Sequence, residues 1–184
     1  MRAEMDTIKI HDKTFRPYIS YGELSAAIDR TAEKINSDYK GTKEPVIFIC
    51  VLNGAMMFMS EMMKRLNFEC ELVSIKMTSY SGTETTGDVK VPMGLTGSVK
   101  GRRVIVFEDI VDSGYTMVAL KKLLEEQGAS DVRICTMLLK PAALRTDIKL
   151  DYVAMEIPNA FIVGFGLDYD ELGRNYKDIY VIEQ

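Results

Sequence analysis

Apolar residues recur at helical spacing from Leu24 through Ile28 and Ile35 to Tyr39, and Gly41 follows. That pattern predicts an amphipathic helix over about residues 21–39, with Gly41 as its stop. Pro45 then introduces Val46–Leu52, a continuous apolar run rich in β-branched side chains. Such runs mark strands covered on both faces, as in parallel sheets. Asn53-Gly54 turns the chain into a Met-rich helix over residues 55–66. The alternation repeats with a strand over 70–77, a long polar segment over 79–90 and a second apolar strand over 104–110. A helix over 115–127 places Met117, Leu120 and Leu124 on one face and closes at Gly128; another strand spans 132–138. Beyond Pro141 the elements are short strands, about Tyr152–Glu156, 161–164 and Ile179–Ile182, which read as an appended flap over about 150–184. Strands alternating with helices imply an α/β domain with a mostly parallel sheet flanked by helices on both sides.

Composition narrows the function. The 184 residues suit one domain with a sizeable core. A formal net charge of −4 argues against broad binding to nucleic acid or to an anionic membrane. An anionic ligand would need a local site of backbone amides, a few cations or a metal. The first fifteen residues are studded with charges and have no apolar core like that of a signal peptide. The greasiest stretch, residues 46–63, is broken by Asn53, Gly54, Ser60 and Glu61, whereas a membrane span needs about 20 predominantly apolar residues. Cys50, Cys70 and Cys135 are odd in number and far apart, which reads as free thiols in a reducing cytoplasm. His11 is the only histidine, so most Ser/His/Asp hydrolases are excluded, and no Cys or His residues stand at zinc-ligand spacing.

In open α/β sheets ligands sit outside the carboxyl ends of the strands. That rule directs attention to residues 52–54, 78–80, 108–116 and Lys140. The segment 104–116 reads VIVFEDIVDSGYT. A buried strand delivers Glu108 and Asp109, a short link brings Asp112, and Ser113-Gly114-Tyr115-Thr116 opens a helix. Backbone N–H groups at a helix start, with hydroxyls beside them, can cradle a phosphate, and Gly114 permits close approach. Acids just upstream suit the hydroxyls of a ribose or a divalent cation. A plainer alternative, Ser113 as helix N-cap with acids favoured by the dipole, explains Asp112 and Ser113. It leaves Glu108-Asp109 at the end of an apolar strand unexplained.

This segment resembles the phosphoribosyl pyrophosphate loop of type I phosphoribosyltransferases, and the similarity extends over nearly the whole chain toward the hypoxanthine–guanine branch. Leu52-Asn53-Gly54 resembles that branch's first loop, and Ser79-Tyr80 the start of its mobile loop. Lys140 lies just past the next strand. Residues 161–164, FIVG, followed by Leu167-Asp168-Tyr169 resemble its base-binding and metal segment, and Arg174 its late arginine. Singly these have bland explanations: a tight turn at Asn53-Gly54, a core aromatic at Phe161, surface charges at Lys140 and Arg174, a turn cap at Asp168. Their order along one chain carries the resemblance.

The resemblance implies the fold of that family, with a hood from the terminal segments, and a role for each residue. Asp112 accepts the purine N7 proton as general base and, with Ser113, Gly114, Tyr115 and Thr116, surrounds the ribose 5′-phosphate. Asn53, Gly54, Ser79, Tyr80 and Arg174 gather around pyrophosphate. Lys140, Phe161, Ile162 and Asp168 bind the purine, Phe161 by stacking and Ile162 through its backbone. Glu108 and Asp109 face the ribose hydroxyls and a bound Mg²⁺, and Asp168 a second Mg²⁺ position. The expected substrates are hypoxanthine or guanine and phosphoribosyl pyrophosphate, in a cytoplasmic homo-oligomer, dimer or tetramer. Residues 79–90, SYSGTETTGDVK, fit a lid that excludes water.

Two departures and rivals bear on this. The family's first loop commonly carries Lys or Arg where this chain has Asn53, whose amide donates hydrogen bonds but neutralises less charge. It also often contains a cis peptide, which sequence leaves open at Leu52-Asn53. Regulators that reuse the fold to sense phosphoribosyl pyrophosphate need a DNA-binding module or a basic RNA face, against which the acidic chain speaks. Adenine- and orotate-specific transferases are nearer rivals, and Lys140 with Phe161 weighs against them.

Overall fold

The computed structural model describes residues 6–77, 95 and 97–183. The chain opens with a hairpin, β1 (Ile8–Ile10) and β2 (Lys13–Ile19), and continues through α1 (Tyr21–Asp38), β3 (Val46–Leu52), α2 (Met56–Met63) and β4 (Cys70–Lys76). It proceeds through β5 (Arg103–Val111), α3 (Tyr115–Glu126), β6 (Asp131–Leu139), β7 (Tyr152–Glu156), β8 (Ile162–Val163) and β9 (Ile179–Ile182). The principal sheet runs β4-β3-β5-β6-β7 and every pairing in it is parallel. This is the helix-flanked parallel sheet read from the sequence.

The apolar runs explain the layering. Successive side chains on a strand face opposite ways. On β3, Val46, Phe48 and Cys50 enter one core cluster while Ile47, Ile49 and Val51 enter the other. On β5, Ile105 and Phe107 join the first, and Val104 and Val106 the second. The first cluster contains Leu24, Ile28 and Ile35 of α1 with Phe58, Met59 and Met62 of α2. The second contains Met117, Leu120 and Leu124 of α3. Each fully buried Phe, Leu or Ile contributes about 1.5–3 kcal/mol relative to exposure, so the central strands are the firmest part of the domain. Among the described residues no helix is long and apolar enough to cross a membrane.

Two expectations need correction. Residues Tyr152–Glu156 are not flap: β7 pairs in parallel with β6 as the last strand of the main sheet. The connection from β6 contains only a short 3-10 turn, Pro141–Ala143, so the helical period that signals a crossover is missing there. The hood, in turn, includes an N-terminal hairpin for which no strands were expected. Its antiparallel sheet runs β1-β2-β9-β8. The β2 pattern buries only Phe15 and Ile19, and the register shifts between Pro17 and Ile19, which disguises the period of two.

Hood and core are tied at the start of α1. Ser20 and Glu23 form a reciprocal capping box, and the Tyr21 N–H donates to Oδ1 of buried Asp178, just before β9, at 2.6 Å.

Candidate active site

The carboxyl end of β5 places Glu108 and Asp109 together on neighbouring positions of a buried strand. Burial, then the adjacent Asp109 charge, pushes the Glu108 carboxyl well above its usual range. Burial also raises Asp109, opposed by its hydrogen bond with Glu108, by the Ile110 N–H at 2.8 Å and by the charge of Arg174. Beneath them on β3, Cys50 is pushed up to about 11 by burial and by the same two acids. The strand end therefore holds two carboxyl groups whose ionisation is disfavoured, and a cation or a set of hydroxyl donors would favour their charged form.

The first loop packs directly on it. The Leu52–Asn53 peptide is cis, and a Cβ added to Gly54 would overlap the Asp109 carboxylate. On its other side Gly54 meets the loop after β8, where a Cβ at Gly166 would overlap the Gly54 carbonyl. Gly166 has φ +99, a conformation that disfavours any other residue. The same loop is held by Arg174, whose Nη1 donates to the Gly166 carbonyl at 2.9 Å and whose Nη2 pairs with Asp168 at 2.8 Å and Glu171 at 3.2 Å. Arg174 Nε is buried without a hydrogen-bond partner among the described residues. Gly54, Asp109, Asp168 and Arg174 thus form one contiguous unit. Asn53 is half-buried in the same loop.

Residues 112–116 form the second unit. The α3 N-cap is Gly114, with no side-chain capping bond. This corrects the alternative of Ser113 as N-cap: among the described residues no side-chain cap closes the first turn, as a phosphate cradle requires. Gly114 has φ +87, and a Cβ there would strike Thr146, Leu144 and Ile148 from the loop preceding β7. That loop also braces the turn through Arg145 N–H to the Ser113 carbonyl, 3.0 Å. A cavity of about 250 Å³ opens here, lined by Glu108, Ile110, Asp112, Ser113, Gly114 and Thr116 among others. Tyr115 and Thr116 are exposed beside it. A larger cavity of about 340 Å³ lies at the opposite, amino-terminal end of β6 and β7, away from these groups.

Lys140 reaches the second unit from the end of β6. Only 8% exposed, it donates from Nζ to Asp112 Oδ2 at 3.2 Å, and its N–H bonds the Val111 carbonyl at 3.0 Å. Phe161 immediately precedes the hood strand β8 and is 42% exposed, against Phe15 and Tyr169. Ile162 beside it is buried in the hood sheet, opposite Val181. Ser79, Tyr80 and the expected lid lie outside the described residues. Sequence reasoning missed Gly166 and the Thr146 loop; the Gly-Phe-Gly triplet at 164–166 was a legible signal for the first, and nothing marked the second.

A phosphoribosyl transferase domain model matches residues 20–170. The hypoxanthine-guanine phosphoribosyltransferase of Streptococcus thermophilus is 40% identical over 153 residues, covering 83% of this chain and 84% of that protein. Its Bacillus subtilis counterpart is 37% identical over 166 residues, 90% and 91% of the two chains. Among solved structures, the hypoxanthine phosphoribosyl transferase of Trypanosoma cruzi superposes with a TM-score of 0.85 at 29% identity, covering 96% of this chain and 95% of that one. That protein was studied for the role of its C-terminal region in oligomeric state and enzymatic activity.

Proposed function

The chain belongs to the phosphoribosyl transferase family, and on that premise we propose that it is a purine-salvage enzyme of the hypoxanthine–guanine branch. It converts hypoxanthine or guanine plus phosphoribosyl pyrophosphate to IMP or GMP plus pyrophosphate. The observation that carries this reading is the contact of Lys140 with Asp112 beside an uncapped helix start. A donor suited to a 6-oxo group is paired with an acceptor suited to a purine proton, and that acceptor, Asp112, lines the cavity of about 250 Å³ at the helix start.

In this reading the 5′-phosphate rests on the N–H groups and hydroxyls of Ser113, Gly114, Tyr115 and Thr116. The purine N9 bonds to the anomeric carbon as the bond to pyrophosphate breaks, and Asp112 takes the N7 proton. Phe161 stacks on the base, Ile162 offers its backbone, Asp168 contacts the base edge and Lys140 donates to O6. Asn53, Gly54, Ser79, Tyr80 and Arg174 hold the leaving group. The orphaned Nε of Arg174 supports an anionic ligand there.

Mg²⁺ fits the donor set, because Glu108 and Asp109 are hard oxygen ligands whose burial disfavours their charge. Bound at these carboxylates, with Asp168 at a second position, it would neutralise and orient pyrophosphate. Among the described residues no group of three or more His, Cys, Asp or Glu could hold a metal alone; oxygens of the substrate would supply further ligands. Cytoplasmic residence is supported by free thiols at Cys50, Cys70 and Cys135. Assembly as a homo-oligomer is supported by exposed Met56, Met63 and Leu72. The test is product formation from each purine with phosphoribosyl pyrophosphate and Mg²⁺: IMP and GMP are expected, and pyrophosphate release with neither base refutes the assignment.

A further inference from the structure

Phe161 stands at the surface with two rotatable side-chain bonds, yet a stacking platform has to present one face in one orientation. Its support comes from two rings. Phe15, fully buried, lies tilted at a centroid distance of 6.0 Å, and Tyr169 meets it nearly perpendicular, 89° at 5.7 Å. Phe15 is fixed in the hood's own buried cluster with Ile10, Val163 and Tyr180. Tyr169, half-buried in the loop between β8 and β9, packs on the edge of that cluster and has a further anchor.

That anchor is the β1–β2 turn, His11-Asp12, together with Lys13 at the start of β2, and each of the three meets Tyr169. The phenol donates to Asp12 Oδ1 at 2.8 Å, the Lys13 ammonium lies over the ring 4.7 Å from its centroid, and His11 meets it edge-on at 5.6 Å. Asp12 and Lys13 are paired with each other at 3.2 Å. The ring is thus held at its backbone end by the chain and at its hydroxyl end by Asp12, with a cation on one face. A ring fixed at both ends narrows the orientations open to the aromatic packed on it.

We infer that Tyr169 is a positioning residue for the purine: clamped by Asp12 and Lys13, it sets the orientation of Phe161. The inference rests on the reading of Phe161 as the base platform. It assigns the N-terminal hairpin a part in base binding and none in binding phosphoribosyl pyrophosphate. Pre-organisation of this kind is felt as affinity for the group that stacks.

The test is a double-mutant cycle read in the KM of each substrate. Tyr169→Leu is expected to raise the KM for hypoxanthine about 3–10-fold, the worth of one aromatic pair. The KM for phosphoribosyl pyrophosphate should move by no more than about twofold. In a Phe161→Ala background the added Tyr169→Leu should change the hypoxanthine KM by no more than about twofold, because the ring it acts through is gone. Tyr169→Phe and Asp12→Ala, which spare the packing, should each give a smaller rise, and together no more than either alone. Full additivity with Phe161→Ala, or equal rises for both substrates, would show that Tyr169 merely holds the hood together. Should Tyr169→Leu fail to fold, the Tyr169→Phe and Asp12→Ala pair decides by the same criteria. Phe161→Ala with an unchanged hypoxanthine KM would remove the stacking role itself, a result distinct from failure of the clamp.

Discussion

Asp109 lays its carboxyl group against Gly54 so closely that residue 54 has no room for a side chain. The first loop and the acidic strand end are therefore packed without a gap, with the Gly54 carbonyl wedged against Gly166 on the far side. Gly54→Ala should overpack this joint at a cost of about 1–3 kcal/mol. Thermal melting would register that as a fall of about 2–4 °C per kcal/mol, and the KM for phosphoribosyl pyrophosphate should rise more than that for the base. An unshifted KM for phosphoribosyl pyrophosphate would separate the loop from the leaving-group site.

Glu108 gives a pH dependence of defined sign. Its folded-state pKa is raised by burial and by Asp109, so the fold favours the protonated carboxyl. Its contribution is fully present below the unfolded pKa, near 4.5, and is lost as pH rises toward the folded value. Glu108→Gln, permanently neutral, should therefore melt higher than the wild type at pH 7–8, with the gap closing toward pH 4 while activity falls. A gap that widened on acidification would contradict the electrostatic account.

Gly114 is required twice, by its φ of +87 and by the Thr146 loop against it. Gly114→Ala should cost about 1–2 kcal/mol from the left-handed backbone alone and more from overlap. Adding Thr146→Ala should recover part of the overlap term and none of the backbone term. Melting curves of the single and double variants check this, and equal melting for Gly114→Ala and wild type would refute it.

How much of this was legible beforehand follows from where the physics is local. Continuous apolar runs at Val46–Leu52 and over 104–110 announced doubly covered strands, because a sheet between helix layers buries both faces of its central strands. The same logic failed for Tyr152–Glu156: a short strand with no helical crossover looks like any other, and its place is set by pairing with β6. β2 was hidden by Pro17 and its register shift. At the site, the acids and the Asp112–Thr116 turn lie in one stretch of chain and were readable together. The contact of Lys140 with Asp112, the wedge of Gly54 between Asp109 and Gly166, and the Tyr169 clamp join residues 28 to 157 positions apart. Such contacts belong to the tertiary structure.

Asp112 is 55% exposed and held by Lys140, a geometry in which its carboxylate can meet an incoming base. Asp112→Asn keeps the shape and removes the proton acceptor. It should lower kcat about 10²–10⁴-fold, the range for general acid–base catalysis, with little change in the KM for phosphoribosyl pyrophosphate. An unchanged kcat under conditions where chemistry limits the rate would assign the proton to another group.

Whether Lys140 beside Asp112 selects 6-oxopurines is decided by kcat/KM for hypoxanthine, guanine and adenine in the wild type and in Lys140→Ala. An ammonium has donors only, so it satisfies O6 and opposes the 6-amino group of adenine. A buried polar group left unpaired costs about 1–3 kcal/mol, more when charged, and sites built on such a bond reject the wrong partner strongly. The wild type should prefer hypoxanthine and guanine over adenine, and Lys140→Ala should lose 6-oxopurine activity far more than affinity for phosphoribosyl pyrophosphate, narrowing the gap to adenine. Equal use of adenine and hypoxanthine by the wild type, or full 6-oxopurine activity in Lys140→Ala, would contradict that role of Lys140.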